Sequence, residues 1–553
     1  MSHHPTFADS RLTRRSLIKG TIGLAAGAAT LSTAACSGST ATSGGEARAS
    51  TAVLPSYRAG VGPAPDLAPV LPGAPAGFLS YPSSVAPSVS APPMKGGTVQ
   101  IMTNVLQALP TERSANTAWQ GIERGLGGTL DLIMVPGSDY AQRFQTTLAS
   151  GGLPDITLFD DAAIDDIPAF MDKVCADLSP YLSGDAILKF PNLAAIPTIV
   201  WQDCVTVDKI YQIPIPRGLT AGAGFYNKSL LDRAGVQVPA DAADFEAFLT
   251  ELNRPQDGTW AIVNMSNHPF FSYMLCQMLG SPYNWRKNDD GTLTRSFETE
   301  EYKLAMEWAA RFVKLGLTVP GSDALDGIAR ANAFKQGKGA LVYDGLPAFP
   351  QYLDAMPDAE VTPFVPMGLN GAPPVTAYDN TSYGTVVLKK AEEGRIRELL
   401  GVLNYLAAPF GTSEYELLIY GEEGAQFTKD GEGNPVLTDK GVRDMSLPLR
   451  WVTGPAFAIY NRDREYVRRY HAAANKMIST AVQDPTGMLI SPTSNKRASA
   501  IAQPLTDLRN DIIAGRQQLS AWDVGVETWR KDGGNQIREE YQQALAGTPA
   551  TPR

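Results

Sequence analysis

Val99-Gln100-Ile101-Met102, Leu130-Asp131-Leu132-Ile133-Met134-Val135 and Ile156-Thr157-Leu158-Phe159 are three short apolar runs separated by two helical patterns. In the first pattern Trp119, Ile122 and Leu126 recur every three or four residues and Gly127-Gly128 stops them. In the second, Tyr140, Phe144 and Leu148 follow Asp139, a helix-capping residue type, and Gly151-Gly152 closes the pattern. Runs this short between helices this regular predict strands, and strand and helix alternating through short joins predict a parallel or mostly parallel α/β sheet. Ligands of such sheets sit beyond the carboxyl ends of the strands. Two of those ends carry polar side chains, Asn104 after the first run and Asp160 after the third. Either residue is equally suited to capping a helix or to plain solvation.

Upstream, Arg14-Arg15 precede an apolar, small-residue run from Thr21 to Ala35, and Cys36 follows. Paired arginines before such a run look like a twin-arginine export signal. The run is about 15 residues, too short for a permanent membrane span. Thr33-Ala34-Ala35-Cys36 resembles a bacterial lipobox. Residues 1–35 are therefore expected to be a signal peptide and Cys36 the lipidated N-terminus. Residues 36–95, rich in Ser, Gly, Thr, Ala and Pro, are expected to form a linker, flexible first and stiffer where proline accumulates. Within it Tyr57, Phe78 and Tyr81 are candidates for packing along the folded body.

The 553 residues exceed what one hydrophobic core usually serves, so two or more lobes are expected. A net charge of −10 argues against nucleic acid, which needs clustered Lys and Arg, and against an anionic membrane surface apart from the lipid anchor. Beyond Cys36 the cysteines are Cys175, Cys204 and Cys276, without the close pairing of a zinc site. A Cys175–Cys204 disulfide and three buried thiols both remain open. After the leader only His268 and His471 are available, too few for multi-histidine metal chemistry. No Gly-x-Ser-x-Gly elbow, P-loop or His-Glu-x-x-His motif is present, and no cofactor is expected.

Longer segments carry a resemblance. Leu148–Ile156 (LASGGLPDI), Asp177–Leu182 (DLSPYL), Tyr211–Pro214 (YQIP), Phe225–Val236 (FYNKSLLDRAGV) and Phe334–Leu341 (FKQGKGAL) occur in that order. Tyr420–Gly424, Asp430–Gly441 and Asp511–Leu545 follow. The ordered set resembles the family 1 extracellular solute-binding proteins, the receptor lipoproteins of carbohydrate ABC importers, in their larger oligosaccharide-binding branch. The resemblance implies a two-lobed periplasmic-binding-protein-like α/β fold with a ligand cleft between lobes joined by hinge crossings near 217–226, 365–378 and 408–425. It places lobe 1 at 96–220, lobe 2 at 221–370, a return to lobe 1 at 371–415 and a C-terminal helical part of lobe 2 at 416–553. It further implies a monomeric binding protein rather than an enzyme. That protein would be held on the extracellular face of the cytoplasmic membrane by lipid alone, with a carbohydrate ligand and ABC permease subunits as partners.

A cleft that holds a sugar needs aromatic faces and planar polar groups. Trp285, in Gly280-Ser281-Pro282-Tyr283-Asn284-Trp285 and outside any helical stripe, is a candidate for stacking or for packing at a domain edge. Trp201, Trp260 and Trp451 are also loop-like. Arg217, after Pro214-Ile215-Pro216 at the first crossing, would either fork onto a ligand carboxylate or bridge the lobes as a salt bridge. Asp344, after Ala340-Leu341-Val342-Tyr343, and Tyr383, which opens the return strand, complete the candidates. Three helical stripes belong to the core: Phe245, Phe248, Leu249, Leu252; Leu304, Trp308, Phe312, Leu315 behind a Thr299 cap; and Ile396, Leu399, Leu400, Leu403, Leu406. Some relatives bind calcium where this chain has Asn253–Thr259, but too few side-chain oxygens stand there, and no metal is expected. Two other readings remain, an exported carbohydrate-active enzyme with paired carboxylates and a surface glycan-binding protein without a transport role.

Overall fold

A computed structural model describes residues 47–547 except 72–73, 107, 165, 220–221, 266–269 and 379–380. The leader and Cys36 lie outside the described residues. The apolar runs form strands where expected: β1 (Thr98–Val105), β2 (Thr129–Pro136) and β3 (Ile156–Leu158). Between them stand α1 (Thr117–Leu126) and α2 (Tyr140–Ala149). The Asn116 side chain caps α1 by accepting from the Trp119 N–H, and Gly127 ends it at φ 76°, a left-handed conformation that suits glycine. Asp139 does not cap α2. It ends a 3-10 turn, Gly137–Asp139, that runs directly into the helix.

The chain continues through β4 (Gln212–Pro216) and crosses to a second sheet. That sheet is formed by β5 (Gly222–Tyr226), β6 (Trp260–Ile262), β7 (Gly339–Gly345) and β8 (Thr362–Phe364). It then returns as β9 (Ser382–Leu388). The first sheet has the order β2-β1-β3-β9-β4 and the second β6-β7-β5-β8. In the first, β1 lies parallel to β2 and β3, while β9 runs antiparallel to both β3 and β4. The mostly parallel sheet thus has one reversed strand, the one that comes back from the other lobe. Each sheet faces its own apolar core: Phe144, Ile156, Trp201, Val386 and Leu400 in the first, Phe245, Phe271, Phe312 and Leu341 in the second.

The helical stripes hold with one displacement. Phe245, Phe248, Leu249 and Leu252 are buried, as are Ile396, Leu399, Leu400, Leu403 and Leu406. In α3 (Glu300–Lys314) Thr299 does cap, but the buried side chains are Ala305, Met306, Ala309 and Phe312. Leu304 and Trp308 sit at the margin and Leu315 is half exposed, because α3 packs close against α4 (Pro492–Ile513) with its small residues. Cys175, Cys204 and Cys276 are free and buried, so the thiol reading holds. Burial pushes the Cys175 thiol up to about 12, keeping it protonated and inert.

Two expected boundaries are corrected. Residues 416–452 belong to the first lobe: Leu417, Leu418, Leu447, Leu449 and Val452 pack on its core. There the buried Gln426 amide donates to Thr117 Oγ1 (2.8 Å) and Asp444 Oδ2 (2.9 Å), and Asn116 donates to the Asp444 carbonyl (2.8 Å). The described residues of 47–95 also make contacts along the body. Arg48–Ala49 pairs with Leu489–Ile490 while Arg48 forks onto Asp208. Ser56 and Arg58 donate backbone bonds to Gly184 and Ala194 of the first lobe. Ala76–Phe78 adds a parallel strand to Ala458–Tyr460. Phe78 and Tyr81 then close on Phe410, at ring distances of 4.4 and 5.5 Å, with Tyr460 5.1 Å from the same ring. A segment poor in apolar residues is ordered here by borrowing strand edges and aromatic pockets from both lobes.

Truncation of the shared ring, Phe410→Ala, should lower stability by about 3–5 kcal/mol in chemical denaturation; a change below about 1 kcal/mol would show that the strap adds nothing to the body. Arg48 and the Thr51 N–H hold the Asp208 carboxyl well below the usual carboxylate range. That contribution is present above the unfolded carboxylate pKa near ~4 and is lost as pH falls through the lower folded value. Protease protection of residues 48–58 should accordingly weaken in acid for the native chain, and Asp208→Asn should flatten that dependence.

Candidate functional site

The carboxyl edge of the first sheet gathers the ends of β1, β3 and β4 and the start of β9. Pro216 closes β4, and the Arg217 N–H donates to the Thr381 carbonyl at 2.7 Å. That bond sets Arg217 beside the beginning of β9, and its guanidinium lies 5.0 Å from the Tyr383 ring centroid. The Tyr383 hydroxyl accepts from Asn104 Nδ2 at 2.7 Å. Three of the six residues expected to meet a ligand, Asn104, Arg217 and Tyr383, thus come together. The Asn104 side-chain oxygen is enclosed without a hydrogen-bond partner among the described residues.

A fourth element completes the group. The turn Pro448–Trp451 is anchored by Thr103 Oγ1 donating to the Trp451 carbonyl (2.9 Å) and Thr453 Oγ1 donating to the Pro214 carbonyl (3.0 Å). Trp451 therefore lies on Tyr383, with ring centroids 4.4 Å apart and planes tilted by 42°. Arg450 places its guanidinium 4.4 Å from the Trp451 ring. The result is a row, Arg217, Tyr383, Trp451, Arg450, in which two leaning aromatic rings carry a cation at either end. Burial lowers the pKa of the half-buried Arg217 guanidinium, opposed by Tyr383, Asp344 and Tyr470. Of the loop-like tryptophans only Trp451 joins this edge. Arg450 carries no sequence signal beyond the proline-led turn that holds it.

Asp344 faces the row from the other lobe. It sits on β7 opposite Ala223 of β5, a few residues beyond the crossing that Arg217 begins. Its Oδ2 accepts from the Tyr352 hydroxyl and its Oδ1 from the Gly345 N–H. No ion pair within 4 Å joins it to Arg217 among the described residues, so the interlobe salt bridge is not formed. Asp160 stands half-buried at the end of β3, without capping the turn that follows and without a bond to the row.

Trp285 is elsewhere. It is 4% exposed, enclosed by Trp529, Tyr541 and the Arg295 guanidinium, and belongs to the second-lobe core. The hairpin Trp285–Lys287 and Leu293–Arg295 carries it under the C-terminal helices, leaving no open face for stacking. At Asn253–Thr259 the Asn253 amide is spent on the Ala261 N–H and the Gly316 carbonyl. The row offers guanidinium donors, a phenol and two aromatic edges on one lobe, and a carboxylate with a phenol on the other.

A sequence profile of the bacterial extracellular solute-binding proteins matches residues 121–409, more than half of the chain. The polygalacturonan/rhamnogalacturonan-binding protein YtcQ of Bacillus subtilis is 23% identical over 457 residues, 77% of this chain and 87% of the relative. Lipoprotein LipO of the same organism is 22% identical over 477 residues, covering 81% and 92%. The crystal structure of an N-glycan transport solute-binding protein from Streptococcus pneumoniae superimposes with a TM-score of 0.60 at 16% identity, covering 81% of this chain and 98% of that one.

Trp285→Ala should cost about 3–5 kcal/mol of stability, as removal of a buried aromatic does, and should leave ligand affinity in calorimetry unchanged below its lowered melting point. A tenfold loss of affinity in a fully folded variant would restore the stacking role.

Proposed function

The chain belongs to the bacterial extracellular solute-binding proteins, and we propose that it captures an oligosaccharide by closing its two lobes and passes it to the permease of an ABC importer. The observation that supports this most is the placing of Arg217, Tyr383 and Asn104 on one lobe and Asp344 on the other, at the point where the chain crosses between them. Hydroxyl-rich ligands need donors and acceptors on both sides, and contacts available only in the closed form supply the free energy of closure. The names of two relatives, a polygalacturonan/rhamnogalacturonan-binding protein and an N-glycan transport protein, support a glycan ligand.

Cys36, in its lipobox-like setting, is the lipid attachment point of this reading, with export by the twin-arginine route signalled by Arg14-Arg15. A relative carries the name lipoprotein. Anchoring keeps a receptor near its permease and raises its effective concentration there. In this reading the described part of 47–95, which packs on the body, is not available as free tether.

An oligosaccharide at 100 times its dissociation constant should stabilise the protein by about 2.7 kcal/mol. Calorimetry should show saturable binding, scattering a smaller radius of gyration, and chromatography an unchanged sugar. Release of reducing ends would identify an enzyme instead, and failure of every glycan tested would remove the carbohydrate reading.

A further inference from the structure

Residues 66–71 and 74–81 are tied to one another as well as to the body. The Leu67 and Gly77 backbones exchange two hydrogen bonds, at 3.0 and 2.9 Å, as an antiparallel pair does. Beside them Asp66 Oδ2 accepts from the Leu79 N–H at 2.8 Å. Glycine suits position 77, because a Cβ there would stand only 3.0 Å from the Leu67 Cβ. The result is a narrow ribbon with backbone bonds of its own, in a stretch whose composition is that of a spacer.

The ribbon is fastened on both sides. Leu67 and Leu79 pack on the core that holds Val342, Ile459 and Tyr466 against the second sheet. There the Leu79 carbonyl accepts from Arg464 Nε at 3.2 Å, and the Ala68 carbonyl meets His471 Nε2 at 2.9 Å. Ala74 joins the first-lobe core with Val386 and Leu400, and Phe78 and Tyr81 close on Phe410. The ribbon also touches two stretches that lead from one core to the other. A Cβ on Gly218, just beyond Arg217, would stand 3.6 Å from Pro75 and 3.6 Å from Phe457. Ala76–Phe78 pairs with Ala458–Tyr460, which lie between Val452 in the first core and Tyr466 in that of the second sheet.

We propose that this ribbon is a brace on the hinge, which holds the two lobes at their present separation and opposes their closure on a ligand. Rotation of one lobe against the other changes the distance from Phe410 to Arg464 and His471, so closure must break or strain part of the ribbon's contacts. A receptor whose binding-competent state is costly binds more weakly by the fraction of molecules in that state. The brace rests on the lobe-closure reading above and adds its regulation: affinity is set by a segment that touches no ligand.

The test loosens the ribbon without touching a cleft residue. Asp66→Ala removes the acceptor of the Leu79 N–H from an exposed position, and Gly77→Val forces Leu67 away. Spin labels on cysteines placed at Leu109 and Ile328, 63% and 76% exposed on the first and second lobes, report the separation. Cys36→Ser removes the leader thiol, and the buried Cys175, Cys204 and Cys276 are shielded from label. Without any sugar, both loosened variants should broaden the distance distribution toward shorter values. Their affinity for a bound glycan should rise roughly two- to tenfold, the range for one lost hydrogen bond. Asp66→Asn, which keeps an acceptor oxygen, should behave as the native chain. Trp285→Ala, which lowers stability away from the ribbon, should leave the distances unchanged. Should Gly77→Val fail to fold, Asp66→Ala decides. Unchanged distances, or a glycan affinity that stays the same or falls, overturn the brace while the carbohydrate reading stands. Failure of every glycan removes the carbohydrate reading, and the distances alone then decide the brace.

Discussion

The strand Ser382–Leu388 is the constraint on which the rest of the structure depends. It enters between β3 and β4 of the first sheet, antiparallel to both, after the chain has built the second sheet. The first lobe cannot complete its hydrogen-bonded ladder without residues that arrive from the second. The same insertion decides chemistry. Pairing Ser382 with Pro216 puts Tyr383 beside Arg217, and the neighbouring strand ends bring Asn104 to its hydroxyl. Fold and site are fixed by one set of backbone bonds.

Around that strand the lobes are joined more than the three crossings require. The segment 47–95 pairs with strands near both ends of the C-terminal region and inserts Phe78 and Tyr81 against Phe410 and Tyr460. Ring packing of this kind contributes through area and through edge-to-face geometry. It is available to a proline-rich chain because it needs few residues.

The site shows a different economy. Its polar groups are held by neighbours that do not neutralise them: Tyr383 orients Arg217 by stacking, and Thr103 orients Trp451 through a carbonyl. Asp344, by contrast, is satisfied within its own lobe by Tyr352. Arg217 thus makes no side-chain hydrogen bond among the described residues, while Asp344 accepts one on each carboxylate oxygen. Burial lowers the Arg217 pKa, and Tyr383, Asp344 and Tyr470 oppose that shift.

By itself the sequence determined what depends on local periodicity and on short-range chemistry. Apolar runs and glycine stops located β1, α1, β2, α2 and β3, and polar residues at two strand ends pointed to Asn104 and Asp160, of which the structure sets Asn104 beside Tyr383. The tertiary structure decided everything that rests on contacts between distant segments. Trp285 looked like a loop residue because a two-residue-period hairpin is too short to show, and only the C-terminal helices reveal that it is buried. Trp451 and Arg450 reach the cleft because Thr103 and Thr453 fasten their turn to strands some 240 to 350 residues earlier. The strap was composed like a spacer, since composition reports what a segment can bury alone and not which pockets the rest of the chain holds open for it.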